Sequence, residues 1–158
     1  MKTSLLFCLL FTCIGFQSCK KNENDIKAKQ IPVEKPVSVQ CYQALYEKDT
    51  IDLKMNTLKN GKITGDMVIK FFDAPQKVGK IAGEFSGDTL FASYTFIQGD
   101  NKKVTFKNPM AFLKRGDQLI LGNGKMQTTM GATYFVKDSP IDFESVKFKF
   151  TAVECAAE

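Results

Sequence analysis

Beyond residue 40, apolar and polar side chains alternate with a period of two. Ile51, Leu53 and Met55 share one face while Asp52 and Lys54 take the other. Ile63, Met67, Ile69 and Phe71 stand against Thr64, Asp66 and Lys70, and Leu90, Ala92, Tyr94 and Phe96 against Ser93 and Thr95. Near the end of the chain Val146, Phe148, Phe150 and Ala152 oppose Lys147, Lys149 and Thr151. Successive side chains of a strand point to opposite faces, so this pattern predicts half-buried antiparallel strands and not amphipathic helices. No stretch of ten or more residues has a helical period, although 74–77 and 109–113 have room for one turn each.

Turn signals separate the runs: Lys59-Asn60-Gly61-Lys62, Asp73-Ala74-Pro75, Ser86-Gly87-Asp88, Gly99-Asp100-Asn101, Arg115-Gly116-Asp117 and Asn123-Gly124. Gly and Asn supply the positive φ that tight hairpins need. A strand restart recurs as Asp49-Thr50-Ile51, Asp88-Thr89-Leu90 and Asp117-Gln118-Leu119, which is shared hairpin punctuation at uneven spacing. The expected fold is all-β: eight to ten short strands in a single antiparallel up-and-down β-barrel of about eight strands, with a filled or partly hollow interior. A two-sheet β-sandwich is the alternative. Fourteen Phe, three of them within residues 1–18, and no Trp are present, so the filling is mostly aromatic and aliphatic.

The first residues have a different character. Lys2 precedes an apolar run over 5–15, and Ser18-Cys19 then Lys20-Lys21 follow. The run is about a dozen residues, short of the ~20 that a spanning helix needs. Its order is that of a secretory signal peptide ending at a cysteine. Phe16-Gln17-Ser18-Cys19 resembles the lipobox of bacterial lipoproteins in the relaxed form seen in Bacteroidota. That resemblance implies cleavage after residue 18 and acylation of Cys19, with two or more chains for stable membrane anchoring. Lys20 after the cysteine implies outer-membrane sorting, with periplasm and exterior both open. Residues 19–40 are polar, contain Pro32 and Pro36, and read as a flexible tether able to reach on the order of 60 Å. The expected domains are therefore 1–18 signal peptide, 19–40 lipidated cysteine and tether, and 41–158 barrel.

Of the five cysteines, Cys8 and Cys13 leave with the signal and Cys19 is acylated, so Cys41 and Cys155 remain at the two ends of the domain. In an oxidising envelope they are expected to pair, which makes the first and last strands neighbours. The net charge of +5 is spread along the chain, which speaks against nucleic acid. Lys102, Lys103, Lys107, Lys114 and Arg115 form the densest basic stretch, expected to be a solvated strand face.

The chain has no histidine. Nucleophile activation by histidine, histidine-ligated zinc or haem, and a histidine general base are thereby excluded. Gly79-Lys80-Ile81-Ala82-Gly83-Glu84 is a glycine-spaced strand that implies a bend or close backbone approach and not a phosphate loop. Asp49, Asp52, Asp66, Glu84 and Asp88 are the only currency left for acid–base catalysis, and most fall at turns or on the polar face.

The stretch from Gly79 through Gly87-Asp88-Thr89-Leu90 to Tyr94-Thr95-Phe96 resembles the central motif of small lipoproteins of Flavobacteriia and related Bacteroidota. The resemblance extends more weakly from Cys41-Tyr42 to Cys155. It implies a lipid-anchored, lipocalin-like β-barrel of the cell envelope and carries no activity. The chain departs from that pattern at Asp100-Asn101-Lys102-Lys103, where an acidic segment is common. A ligand site, if the barrel has one, is expected at its mouth, with Tyr94, Tyr42, Tyr46 and Tyr134 as candidate contacts. The expected function is non-enzymatic: binding of a small apolar ligand or of a protein partner, without cofactor or metal. A hydrolase inhibitor that inserts a loop is the second reading, and a carboxylate-only enzyme the third.

Overall fold

The computed structural model describes residues 34–156. Twelve strands form within them: β1 Ser38–Tyr46, β2 Asp49–Thr57, β3 Ile63–Lys70, β4 Lys77–Ser86, β5 Thr89–Gln98, β6 Phe106–Arg115, β7 Gln118–Leu121, β8 Asn123–Gly124, β9 Met126–Thr129, β10 Ala132–Phe135, β11 Ile141–Asp142 and β12 Lys149–Val153. Eight of them close an antiparallel barrel in the order β1-β12-β7-β6-β5-β4-β3-β2. Strands β1 to β7 are a meander joined by turns and by the longer loops 71–76 and 99–105. The chain then leaves the barrel for two small sheets, β8 with β11 and β9 with β10, before β12 closes the ring.

The alternation sets which face is buried. Ile51, Leu53, Met55, Ile63, Met67, Ile69, Leu90, Tyr94, Phe96, Phe112, Leu119 and Phe150 all point inward and are almost fully buried. Gly61, Gly87, Gly99 and Gly116 have positive φ at the turns between barrel strands, as their sequence context requires. Inward-facing Gly79 and Gly83 of β4 have a different role. A methyl at Gly83 would overlap the Phe91 carbonyl oxygen, and one at Gly79 the Thr95 carbonyl oxygen. The backbones of β4 and β5 come that close where the sheet coils to close a small barrel.

Several boundaries differ from expectation. The barrel begins at Ser38, inside the segment 19–40 assigned to the tether. Residues 38–40 pair with Thr57, Asn56 and Met55, and the Val37 amide donates to the Thr57 carbonyl. The helical turn allowed at 109–113 is strand β6. Pro109 is tolerated because β6 pairs β7 only from Phe112 onward, so one edge of β6 at Pro109 lies outside any ladder. Asn123-Gly124 is a short strand and not a turn. The last strand is shorter than its pattern: it starts at Lys149, and Ala152 is exposed.

The expected cysteine pair forms. Cys41 on β1 and Cys155, just past β12, are joined with Cα atoms 5.2 Å apart. The bond lies beside the register pair Cys41↔Val153 and so locks the seam where the ring closes. That seam is thinly paired, because β12 has four register pairs with β1 and two with β7.

Candidate functional site

The strand directions give the barrel two distinct ends. The polypeptide enters at the end that holds the disulfide and the 58–62, 87–88 and 116–117 turns. The opposite mouth carries the 47–48, 71–76 and 99–105 loops and the excursion 122–148.

This opposite mouth is closed by rings. Phe71 and Phe148 stack with centroids 6.0 Å apart, Tyr46 meets Phe148 edge-on at 6.0 Å, and Phe96 stacks between Tyr94 (4.7 Å) and Phe106 (5.4 Å). Lysines cap these rings. Lys77 Nζ is 5.4 Å from the Phe71 centroid and 5.5 Å from that of Phe96, Lys147 Nζ lies 5.0 Å above Tyr46, and Lys48 Nζ 4.0 Å above Phe72. An ammonium over a ring face is held by the ring quadrupole while its head stays in water.

The four candidate tyrosines do not converge on one cleft. Tyr94 is 2% exposed, and its hydroxyl donates to the Met67 carbonyl at 3.1 Å, so burial pushes its pKa well above the usual tyrosine value. Tyr42 is also in the core, its pKa raised by burial and then by the Asp117 carboxylate. Tyr46 lies at the ring-closed mouth. Tyr134 is on the outlying β9–β10 hairpin, 40% exposed.

Inside the barrel the space is taken. A recess of about 90 Å³ lies under the aromatic mouth, lined by Ile69, Tyr94, Phe96, Asn108 and Met110 of the barrel and by Met126 of β9. Small-molecule pockets run from about 300 to 1,000 Å³. Larger concavities are open: one of about 580 Å³ lies at the mouth between the 47–49 and 71–74 loops, and others lie on the outer face. One of about 560 Å³ has the register line Thr64, Ala82, Ser93 and Pro109 as its floor, with Leu58 and Phe135 as walls. Another of about 450 Å³ runs past Cys41, Asp52, Asp66 and Val153.

The carboxylates divide between surfaces. Asp52 and Asp66 are diagonal neighbours on the outer face of β2 and β3, each paired with its own lysine: Asp52 with Lys70 at 3.5 Å and Asp66 with Lys80 at 2.6 Å. Asp49 accepts the Phe72 amide at 2.9 Å at the ring-closed mouth, while Glu84 and Asp88 flank the β4–β5 turn at the other end. The basic stretch is split as well. Lys107 stands near the start of β6, whereas Lys114 and Arg115 stand at its far end, where Arg115 is engaged by Glu144. Among the described residues, no group of three or more potential ligands could hold a metal ion.

What the alternation did not reveal is the excursion. It folds back against β6: β10 lies alongside that strand, Glu144 pairs with Arg115, and the outward-facing Ala111 and Ile120 are fully buried. The hairpin β9–β10 leans on β6 at its base, and every residue of β9 is exposed. At its tip Met130, wholly exposed, and Gly131 both have positive φ, 52° and 79°. The sequence signal was Met130-Gly131 between Thr128-Thr129 and Ala132-Thr133.

The fold and its surfaces define a small, closed eight-stranded antiparallel barrel with an aliphatic and aromatic filling and an external hairpin. No protein-family model, curated protein or solved structure matches the chain.

Proposed function

We propose that this chain is a lipid-anchored, non-enzymatic protein of the bacterial cell envelope that binds a protein partner through the surface of its barrel. The filled interior carries this reading. With the inward side chains packed into one core cluster, a recess of about 90 Å³ under the mouth and Tyr94 already satisfied by Met67, an apolar ligand would have to displace core side chains. Cys19 and the signal peptide lie outside the described residues, and the anchor rests on the lipobox-like sequence. Given that anchor, the tether joins the barrel at its disulfide end, where β1 starts, and its length leaves the surface of the barrel within reach of a partner.

Two measurements test the reading. Growth with labelled palmitate should label the full-length protein and leave the Cys19→Ala variant unlabelled. Native mass spectrometry of the purified barrel, with and without a series of C12–C18 fatty acids, should show the ligand-free mass throughout. Stoichiometric fatty-acid retention would refute partner binding as the main role in favour of an opened, lipocalin-like interior. The inhibitor reading gains support from one observation, the exposed hairpin.

A further inference from the structure

We infer that the β9–β10 hairpin is an insertion finger that enters a cleft of its protein partner and takes a strand of that partner onto the free edge of β9. The inference rests on the protein-binding reading above and names the part of the surface that performs it.

Four observations lead there. First, residues 126–136 contain no charged side chain, yet Lys125 and Lys137 flank them immediately. Second, Met130 at the tip and Tyr134 on one face of the hairpin are exposed, while half-exposed Met126 on the other face lines the recess under the aromatic mouth. Apolar groups at the tip and on a side of the finger are not covered by one flat surface. They need surroundings that wrap the finger.

Third, Met130 occupies the wrong conformation for its side chain. A two-residue turn with both φ values positive favours Asn-Gly, since Asn tolerates the left-handed region and methionine does not. An exposed side chain that makes no contact, held at a backbone cost, points to a use outside the molecule. Fourth, β9 has a ladder neighbour on one side only. In a two-residue hairpin the pair Thr129↔Ala132 exchanges hydrogen bonds, so Thr128↔Thr133 is the non-bonded pair. The 2.9 Å approach of the Thr128 and Thr133 hydroxyls agrees with this. The Thr128 amide and carbonyl therefore point outward to the free edge.

The free edge decides between kinds of surroundings. In lipid hydrocarbon the outward amide and carbonyl would go unpaired, which hydrocarbon does not tolerate. A second copy pairing β9 with β9 would join only two four-residue strands, well below the ~1,200 Å² of a stable dimer. A protein cleft with its own exposed strand edge satisfies every group: backbone to Thr128, an apolar pocket to Met130, and acidic residues on the rim to Lys125 and Lys137.

The test places a photo-cross-linking amino acid at position 130 of the full-length protein in its native cells, and at outer-face position Thr95 as control. A partner that cross-links at 130 and not at 95 is then purified and its affinity measured. Met130→Asn keeps the turn, and should leave the barrel's melting temperature equal or higher while weakening binding at least tenfold. Thr128→Pro removes the outward amide without removing a ladder bond and should do the same. Adducts only to lipid or to a second copy, or no adduct at 130, overturn the inference. So does a partner whose affinity is unchanged by both substitutions. That last result would still leave the protein-binding reading standing, whereas fatty acid in the barrel would remove that reading independently of the hairpin.

Discussion

Removing the Cys41–Cys155 bond tests how the barrel is held shut. The two residues are 114 positions apart, so the cross-link restrains nearly the whole denatured domain. On the chain-entropy model this is worth about 4–5 kcal/mol. The structure shows why the folded state has little to set against that loss. Strand β12 is five residues long, with four register pairs to β1 and two to β7, and Phe150 is its one fully buried side chain. For a domain of about 120 residues, 1 kcal/mol moves the melting temperature by about 4 °C, so the Cys41→Ser/Cys155→Ser variant should melt about 16–20 °C lower. Calorimetry and guanidinium unfolding of the oxidised protein, the reduced protein and the double variant provide the assay. The last two should agree, and both should show a larger denaturant slope, because an uncross-linked chain exposes more surface. A loss below about 1 kcal/mol with an unchanged slope would refute the argument. It would mean that the ladder pairs of β12 close the ring unaided.

Two further outcomes follow from the interior. Gly83→Ala should destabilise the barrel by at least about 1–3 kcal/mol, because the added methyl meets the Phe91 carbonyl and Ala92, backbone that cannot yield; a loss under about 0.5 kcal/mol in urea unfolding would mean that the β4–β5 approach is not fixed. Tyr94 and Tyr42 have raised pKa values in the fold, so above about pH 10 the unfolded chain loses these protons first. Stability should therefore be independent of these phenols below pH 9 and fall above 10, by up to about 1.4 kcal/mol per pH unit for each phenol. Urea midpoints measured against pH, with absorbance at 295 nm, should show a shallower fall in Tyr94→Phe, and an identical fall would contradict the assignment.

Much of the barrel was legible because a strand writes its orientation into every second residue. Ile51-Leu53-Met55 and Leu90-Ala92-Tyr94-Phe96 alternate cleanly, and Gly61, Gly87 and Gly116 mark turns by a backbone requirement that few other residues meet. The close approach at Gly79 and Gly83 was also readable, since a strand keeps glycine where a side chain has no room. The cysteine pairing was readable from position, since Cys41 and Cys155 bracket the domain.

The sequence by itself thus determined the elements and their inward faces, properties carried by residues near one another, and it supplied the two cysteines that the closing of the ring brings within bonding distance. Only the tertiary structure decided that the interior is full, that the mouth is plugged by rings under lysines, and that Tyr94 serves the core. It also decided that residues 122–148 leave the ring and raise a hairpin with an uncovered methionine at its tip. Filling depends on how side chains from eight strands meet, and the hairpin on which strand edges the barrel leaves unpaired. Neither quantity exists until distant segments are brought together.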